Sequence, residues 1–332
     1  MVHYIESGQT DPRWNLALEQ FVFDALPREN SYFMLWQNHN SIIIGKHQNT
    51  SEEINAAFVK EREISVVRRL SGGGAVYHDL GNINFTFISD VAGGHAALDF
   101  EFFCRPVSEA LRSFGVPVEL SGRNDMTVEG KKFSGNAQYV KQNRVMHHGT
   151  ILYDSDLSVL SQALKPGDDK ILSRGIKSVQ SRVTNIRPYM KSDIAMSDFW
   201  AALKGQIGAA LGMVDFQLTA AHRDAVGVLC EERYSRWSWN YGGSPPHSLR
   251  KARRIEGCGK IEVLLDIAGE GRINGLAFYG DFFSNRDPAD LAARLTGRYL
   301  NRDDIMAALA GEDIGQYFHA LDTEGFLSLL LE

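Results

Sequence analysis

Apolar residues recur every three or four positions in two segments, which is the spacing of a helix with one buried face. The first segment covers residues 11–25, where Asp11 is a suitable N-cap and Pro12 fits the first helical turn. The second covers residues 99–114 and begins with another capping residue, Asp99. The pattern therefore predicts two amphipathic helices, and a third, shorter one is expected near residues 52–63.

Short apolar runs bounded by polar residues predict strands. The runs Tyr32–Trp36 and Ser41–Ile44 are separated by four polar residues, and this spacing predicts a strand pair. Further strands are expected at residues 64–68 and 145–153, and the turn at residues 129–131 predicts a hairpin. Because strands and helices are mixed without a regular βαβ alternation, the fold class is predicted to be α+β.

Glycine and proline cluster at residues 241–247, and this composition is typical of a linker. We therefore expect a large domain at 1–247 and a small α+β C-terminal domain at 248–332. The small domain begins with a basic patch, and beyond it the pattern predicts a strand pair (259–267 and 272–281) and three helical segments. The patch consists of Arg250, Lys251, Arg253 and Arg254.

The bulk composition excludes several classes of protein. The 332 residues are 44% hydrophobic and 23% charged, as in a folded globular chain, and the net charge of −6 argues against a non-specific nucleic-acid or membrane binder. The three cysteines are widely spaced without a CxxC pair, so neither a disulfide framework nor a zinc site is favoured. The N-terminus lacks a signal-peptide pattern. We expect a cytoplasmic protein.

The densest unusual segment, residues 68–79, reads Arg-Arg-Leu-Ser-Gly-Gly-Gly-Ala-Val-Tyr-His-Asp. Three glycines after a strand let the backbone approach a ligand and point N–H groups at an anion. The two arginines in front of them are bidentate donors for phosphate or carboxylate. The segment is neither a Walker loop nor a dinucleotide turn. A flexible hairpin loop is the alternative interpretation.

Two further segments carry candidate chemistry. Lys132 stands beside small residues in Lys-Phe-Ser-Gly-Asn-Ala, where a compact ammonium can approach an acyl phosphate, although a solvated turn lysine has the same sequence. Asp125 is either a ligand of a metal–phosphate complex or part of a turn. His147 and His148 are adjacent on a predicted strand, so they face opposite sides and cannot easily bind one ion.

These segments together resemble the lipoate–protein ligases, within the wider group of biotin and lipoate protein ligases. The resemblance covers residues 10–245 and keeps the family's order; beyond the segments already quoted it rests on residues 44–49, 122–125, 181–185 and 239–242. It implies mixed, largely antiparallel sheets flanked by helices, with residues 1–247 as the catalytic domain. The remainder resembles the accessory domain of the long, bacterial-type ligases.

The resemblance also implies a reaction in two steps. Lipoate and Mg-ATP would give lipoyl-AMP and pyrophosphate, and the acyl group would then pass to a lysine of an acceptor. The implied acceptors are the apo lipoyl domains of 2-oxoacid dehydrogenase complexes and the glycine cleavage H protein. Lys132 would act as an electrostatic stabiliser rather than a nucleophile. The implied nucleotide contacts are Arg69, Gly74, Ala75, Val76, Tyr77 and Lys132; the implied lipoate contacts are Lys132, Ser71, Gly73, His78 and His148; Asp125 is the candidate Mg²⁺ ligand.

Other functions stay open at this stage. An octanoyl or lipoyl transferase of the same fold would form a thioester on a cysteine, but Cys104, Cys230 and Cys258 all lie outside the quoted motifs. A biotin ligase would need a Gly-Arg-Gly-Arg type of loop, which is not seen. A non-catalytic lipoyl-binding protein is disfavoured by the intact Arg69 and Lys132 segments. The basic patch either steers acidic acceptors or is a solvated charge run, and the linker suggests that the small domain reorients between the two steps.

Overall fold

The computed structural model describes residues 1–91, 99–121, 124–164, 182–242, 248–268 and 271–331. Its strands in chain order are β1 (Val2–Glu6), β2 (Ser31–Trp36), β3 (Ser41–Ile44), β4 (Ser65–Arg68), β5 (Val76–His78), β6 (Asn82–Asp90), β7 (Glu119–Ser121), β8 (Asp125–Val128), β9 (Lys131–Lys141), β10 (Arg144–Leu152), β11 (Met213–Asp215), β12 (Leu249–Ile255), β13 (Gly259–Ala268) and β14 (Arg272–Gly280). Its helices are α1 (Pro12–Ala25), α2 (Thr50–Glu53), α3 (Ala56–Glu61), α4 (Phe100–Ser113), α5 (Leu157–Ala163), α6 (Met196–Leu211), α7 (Ala220–Leu229), α8 (Trp237–Asn240), α9 (Pro288–Leu295), α10 (Arg302–Ala308) and α11 (Thr323–Leu331).

An eight-stranded sheet with the order β11-β1-β2-β6-β10-β9-β8-β7 forms the centre of the molecule. Strand β1 is parallel to both of its neighbours, and the other pairs are antiparallel. A three-stranded sheet, β4-β3-β5, stands beside it. The predicted α+β class with mixed, largely antiparallel sheets is confirmed. In the described ranges, no helix is long and apolar enough to cross a membrane.

The predicted pairing of Tyr32–Trp36 with Ser41–Ile44 is wrong. Strand β2 is bonded to β1 on one edge and to β6 on the other, so both of its edges are occupied. Strand β3 instead runs parallel to β4 and antiparallel to β5 in the second sheet. The polar residues 37–40 are therefore a crossing between two sheets and not a hairpin turn.

The helices follow the local sequence signals closely. Asp11 caps α1 by accepting a hydrogen bond from the backbone N–H of Arg13, and Asp99 caps α4 through Phe102 N–H at 2.9 Å. Pro106 lies inside α4, where it leaves the helix intact. The predicted helix at 52–63 is divided into α2 and α3, because Asn55 caps a new helix by accepting from Phe58 N–H.

Side chains alternate between the two faces of the large sheet and build two cores. On β2, Phe33 and Leu35 pack with α4 and α6, whereas Tyr32, Met34 and Trp36 pack with α1 and α7. The same alternation on β10 directs His147 towards α4 and His148 towards α1. The prediction that the two histidines face opposite sides is confirmed by this geometry.

The C-terminal residues 248–331 form a three-stranded antiparallel sheet, β12-β13-β14, covered by α9, α10 and α11. The predicted strand pair has gained a third strand, β12, and the helix expected at 314–321 is reduced to one 3₁₀ turn, Ile314–Gln316. Its core is separate from those of the large sheet and contains the aromatic side chains of Phe278, Phe282, Tyr317, Phe318 and Phe326. Most of the predicted linker lies outside the described residues, so the boundary at 247 stays a prediction.

Candidate active site

A cavity of about 260 Å³ lies where β5, β6, β9 and β10 meet the Gly-rich loop. Its wall is apolar at Leu16, Trp36 and Ile43. The cavity brings together most of the site residues predicted from the sequence, namely Arg69, Gly73, Gly74, Ala75, Val76, His78, Asp125, Lys132 and His148. Asp281, from the end of β14, also lines it, so the C-terminal residues contribute to the site.

Two predicted residues do not line the cavity. The Ser71 hydroxyl is buried between Arg69 and His148. The Tyr77 side chain packs in an apolar cluster with Ile42, and its hydroxyl donates to Asn40 Oδ1 at 3.2 Å. The backbone of Tyr77 nevertheless lies in β5, and Val76, which precedes it in this strand, lines the cavity.

The three glycines of the loop have different environments. A Cβ atom on Gly72 would lie 2.2 Å from the Phe282 carbonyl oxygen, so the C-terminal residues leave no space for a side chain at this position. Gly73 has a φ of +88° and donates a long hydrogen bond of 3.4 Å to the same oxygen. A Cβ atom on Gly74 would have no described residue within 4 Å other than its own chain neighbours. The expectation that the glycine N–H groups face a ligand is therefore not met at Gly73, whose N–H is engaged.

Arg69 holds the shape of this loop. Its guanidinium is buried and donates to the carbonyls of Gly72 (2.6 Å) and Gly74 (2.9 Å), while its Nε donates to Ser71 Oγ (2.9 Å). Burial lowers the pKa of Arg69 to about 10, and the charge of Glu19 opposes this shift. Arg69 therefore remains protonated at neutral pH and places a fixed positive charge against the cavity.

Arg68 has a different function, because it faces away from the cavity. Its guanidinium donates to the carbonyls of Gly45, Gln48 and Trp239. The Trp239 indole N–H donates back to the Arg68 carbonyl at 2.9 Å, and Asn240 Oδ1 accepts from the Arg68 N–H. Of the two arginines, Arg69 therefore holds the glycine loop at the cavity, whereas Arg68 connects three backbone segments behind the loop.

Lys132 lies on β9 with its ammonium 2.7 Å from Asp125 Oδ1. Gly135 leaves the space for this side chain, since a Cβ there would lie 2.9 Å from Lys132 Nζ. The Lys132 backbone N–H donates to the Arg182 carbonyl at 2.8 Å, and its carbonyl accepts from the Thr184 N–H at 2.9 Å. The segment 181–185, of which residues 182–185 are described, therefore fixes the strand position of Lys132 from outside the sheet.

Two buried N–H donors in the cavity have no partner among the described residues. Asn38 Nδ2 donates to His78 Nδ1 at 3.1 Å, which leaves the proton on the unpaired His78 Nε2. Asn84 Nδ2 is likewise unpaired, while its Oδ1 accepts from Asn82 at 3.0 Å. Burial lowers the pKa of His78 to about 3, so this imidazole is a neutral donor at pH 7. Unpaired buried donors indicate a polar ligand.

Asn84 was missed by sequence reasoning, although a signal exists. Asn82 and Asn84 alternate with the apolar residues Ile83 and Phe85 at the start of strand β6, so both project from one face. A second missed residue is Glu19 on α1, whose carboxylate accepts from His148 Nδ1 at 3.0 Å. Nothing in the local sequence of α1 distinguishes Glu19 from a solvated helix residue.

Cys104 is not placed to form a thioester. It is buried on α4, outside the cavity lining, with its Sγ 3.6 Å from His147 Nε2. Gln138 donates to His147 Nδ1 at 3.0 Å, so the imidazole proton is on Nε2 and this nitrogen cannot act as a base towards the thiol. Burial raises the pKa of Cys104 to about 12, which keeps the thiol protonated.

The metal prediction has limited support in the donor set. Asp125 is a carboxylate at the cavity, but no group of three or more His, Cys, Asp or Glu residues in the described part of the chain is arranged to hold an ion. Mg²⁺ in phosphate-binding sites commonly uses one or two carboxylates and the phosphate oxygens. Asp125 fits that arrangement, and a cation held entirely by protein ligands is not indicated.

One cavity thus combines an apolar wall, two unpaired donors, and a lysine beside the glycine loop that Arg69 holds. Residues 11–208 match the family model of the lipoyl protein ligase A/B catalytic domain, and residues 244–330 match the bacterial lipoate protein ligase C-terminus. The chain is 42% identical to lipoate-protein ligase LplJ of Bacillus subtilis over 323 residues, which is 96% of this chain and 97% of the relative.

Two solved structures share the fold. The complex of Plasmodium falciparum LipL1 with lipoate superposes with a TM-score of 0.76 at 23% identity, covering 100% of this chain and 98% of the other. The bipartite lipoate protein ligase of Thermoplasma acidophilum, described with its E2 lipoyl domain, gives a TM-score of 0.64 at 25% identity over 75% of this chain and 98% of its own. The chain belongs to the lipoate–protein ligases. The predicted ATP-dependent ligase is thereby favoured over an ATP-independent transferase.

Proposed function

We propose that this chain joins lipoate to AMP and then transfers the lipoyl group to a lysine of an acceptor domain, with one cavity serving both steps. The observation that carries this proposal is the position of Lys132. Its ammonium stands in the same cavity as the apolar wall of Leu16, Trp36 and Ile43 and the arginine-held glycine loop. An acid with an apolar tail and a nucleotide phosphate can therefore meet beside one fixed cation.

The lipoyl tail is assigned to the apolar wall, with its carboxylate towards Lys132. His78 Nε2 and Asn84 Nδ2 are the unpaired donors available to an acyl or phosphoryl oxygen. The contacts of lipoate with Gly73 and His148 remain part of the proposal, since both residues line the cavity. Ser71 contributes through His148, because its hydroxyl is already committed to that imidazole at 2.6 Å.

The nucleotide is assigned to the outer loop, Gly74–Tyr77, together with Arg69 and Lys132. Attack of the lipoate carboxylate on the α-phosphorus forms the acyl-phosphate bond and expels pyrophosphate. Negative charge then builds on the phosphoryl oxygens, where the Arg69 and Lys132 cations stabilise it. A bound Mg²⁺ would neutralise phosphate charge, and Asp125 is the residue that would hold it together with the phosphate oxygens.

In the second step an acceptor lysine attacks the acyl carbonyl and AMP leaves. The archaeal relative described with its E2 lipoyl domain supports acceptors of this type. We extend this to apo lipoyl domains of 2-oxoacid dehydrogenase complexes and to the glycine cleavage H protein. A cytoplasmic location is part of this proposal and agrees with the lack of a disulfide bond between the three cysteines.

The basic patch on β12 is not proposed as a steering surface. Arg250 pairs with Glu52 and with Glu262, at 3.0 and 2.7 Å. Arg254 lies 3.4 Å from Asp281. Their charges are therefore compensated within the molecule. The match of residues 244–330 to a ligase C-terminus supports the division into a catalytic domain, 1–247, and an accessory domain, 248–332.

The test is to follow the two half-reactions separately. Purified protein is mixed with lipoate and Mg-ATP, and pyrophosphate release should occur without any acceptor. Addition of an apo lipoyl domain should then release AMP and yield lipoyl-lysine. Omission of lipoate is the control. Acylation from an acyl carrier thioester without ATP, with no pyrophosphate from lipoate, would contradict the proposal.

A further inference from the structure

Glu19 is a buried carboxylate in the middle of α1, and its side chain is 1% exposed. Burial of an ionised carboxylate is costly unless it is hydrogen-bonded or paired. Two side chains from the large sheet meet this requirement. His148 Nδ1 on β10 lies 3.0 and 3.3 Å from the two carboxylate oxygens, and the Thr86 hydroxyl on β6 donates to Oε1 at 2.5 Å.

The first contact continues to the Gly-rich loop. Because His148 Nδ1–H donates to Glu19, its Nε2 is free of a proton and accepts a hydrogen bond from the Ser71 hydroxyl at 2.6 Å. Ser71 Oγ in turn accepts from Arg69 Nε at 2.9 Å. The guanidinium then holds the loop carbonyls. Every donor in this series points in the same direction, from the loop towards the Glu19 carboxylate.

The second contact continues to the apolar wall. Thr86 Oγ1 donates its proton to Glu19 and accepts from the Trp36 indole N–H at 2.9 Å. The Trp36 ring lines the cavity. One carboxylate is therefore connected to the wall assigned to the lipoyl tail and to the loop assigned to the nucleotide.

The series Glu19–His148–Ser71 has the order of a nucleophilic triad, but its geometry does not suit a nucleophile. Ser71 is 1% exposed and does not line the cavity. Its oxygen also accepts a charged hydrogen bond from Arg69, which lowers the electron density that attack on an acyl group requires. The series is suited to holding groups in place and not to covalent chemistry.

We propose that Glu19 is a positioning residue for adenylate formation, acting through His148–Ser71 on Arg69 and through Thr86 on Trp36. This inference rests on the proposed function of the cavity. The carboxylate sets the distance between the phosphate end and the apolar end of the site, so that both halves of lipoyl-AMP are held in register. Its charge also favours the buried cation of Arg69, whose pKa it raises against the effect of burial.

A double-mutant cycle with Glu19→Gln and Ser71→Ala tests the connection. Each single variant should lower kcat/KM for lipoate-dependent pyrophosphate release by about 100-fold, the cost of a small misplacement of reacting groups. If both residues act through one series, the kcat/KM of the double variant should lie within about threefold of that of the less active single variant. Independent losses that multiply would overturn the proposal. So would near-parent activity of Ser71→Ala, which removes a link without removing the buried charge.

A second readout separates this inference from the function itself. In the parent, ¹⁵N NMR should show the His148 proton on Nδ1. Glu19→Gln removes the charge that this N–H faces and should shift the Nδ1 signal, while Ser71→Ala should shift the Nε2 signal. An unchanged His148 spectrum in Glu19→Gln would overturn the connection even if the parent made lipoyl-AMP. The parent's failure to make lipoyl-AMP would instead refute the proposed function. Glu262→Gln, which removes another buried carboxylate far along the chain, is the matched control and should keep adenylation within about twofold.

Discussion

The ammonium of Lys132 and the carboxylate of Asp125 lie 2.7 Å apart on neighbouring strands at the edge of the cavity. The side chains are 37% and 33% exposed, so the pair is open to a ligand from one side. A surface pair of this kind contributes little to stability. The consequence of the pairing is that the cation is held at a defined position before any substrate binds.

Lys132→Ala should therefore abolish lipoate-dependent pyrophosphate release while the protein remains folded. The charge that stabilises the phosphoryl transition state is lost. Because removal of one donor from an oxyanion hole lowers kcat by about 10²–10³, we expect a loss of at least about 100-fold here. The measurement is pyrophosphate release together with thermal unfolding. Lys131→Ala is the matched control, because Lys131 is its exposed neighbour on β9. Near-parent turnover of Lys132→Ala would refute the assigned role.

Arg69→Lys should weaken the use of ATP more than the use of lipoate. The lysine keeps the charge but cannot donate to Gly72, Gly74 and Ser71 together, so the loop loses its shape at the phosphate end. The KM values for ATP and lipoate are measured at a temperature where the variant is folded. Arg68→Lys breaks the contacts behind the loop and controls for loss of a buried guanidinium. A larger effect on lipoate than on ATP would show that the two ends of the cavity are exchanged.

A variant with Cys104→Ala, Cys230→Ala and Cys258→Ala should keep adenylation and transfer within about fivefold of the parent, since buried thiols outside the site affect activity only through stability. All three cysteines are buried, so a lower unfolding temperature is expected. Both half-reactions are assayed below that temperature. Complete loss traced to one thiol would favour a thioester mechanism instead.

The stability of the folded chain should fall as the pH drops from about 6.5 towards 3. Burial lowers the pKa of His47 to about 3, with a contribution from Lys46, and burial does the same for His78. Below pH 6.5 the unfolded chain binds protons on these imidazoles that the folded chain excludes, and unfolding is favoured. At pH 5 the loss is about 2 kcal/mol for each histidine.

The measurement is urea unfolding of the parent and of His47→Gln between pH 7.5 and 5. The free energy of unfolding of the variant should fall about 2 kcal/mol less over this range. His39→Gln, at an exposed position, controls for removal of an imidazole. Parallel curves for the parent and His47→Gln would contradict the assignment.

The C-terminal residues should change position when the adenylate forms. They contact the catalytic part through His47 stacked on Phe282 at 4.8 Å, the Lys46–Asp287 ion pair at 2.9 Å, and the hydrogen bond from Gly73 to Phe282. The last of these contacts, at Gly73, engages the loop that a nucleotide would use. Small-angle scattering with and without a stable acyl-adenylate analogue checks this, and identical profiles at saturating analogue would remove the idea.

Features that depend on neighbours in sequence were predictable. The caps Asp11 and Asp99 define their helices, and the hairpin predicted at residues 129–131 joins β8 to β9 through Glu129 and Gly130, whose φ values are 50° and 72°. The meeting of Lys132 with the glycine loop was also predictable, but from the resemblance of ordered motifs and not from any local pattern.

Features that depend on distant contacts were not predictable. Glu19 and His148 are 129 positions apart, and helical periodicity gives no sign that this carboxylate is buried. The separation of β2 and β3 into two sheets follows from competition by β6 and β1 for the edges of β2, which no short window of sequence records. The hydrogen bond from Gly73 to Phe282 likewise joins two segments that are more than 200 positions apart.

The close approach of Gly72 to the Phe282 carbonyl limits how the glycine loop and the C-terminal residues can be exchanged between proteins. The 2.2 Å distance from a Cβ at position 72 means that the smallest side chain is excluded by the C-terminal residues and not by the substrate. A side chain at position 72 therefore requires a shift of the backbone at Phe282. A transplant of the glycine loop into a ligase without this segment would release the constraint at 72, whereas a transplant of the C-terminal residues alone would impose it on the recipient.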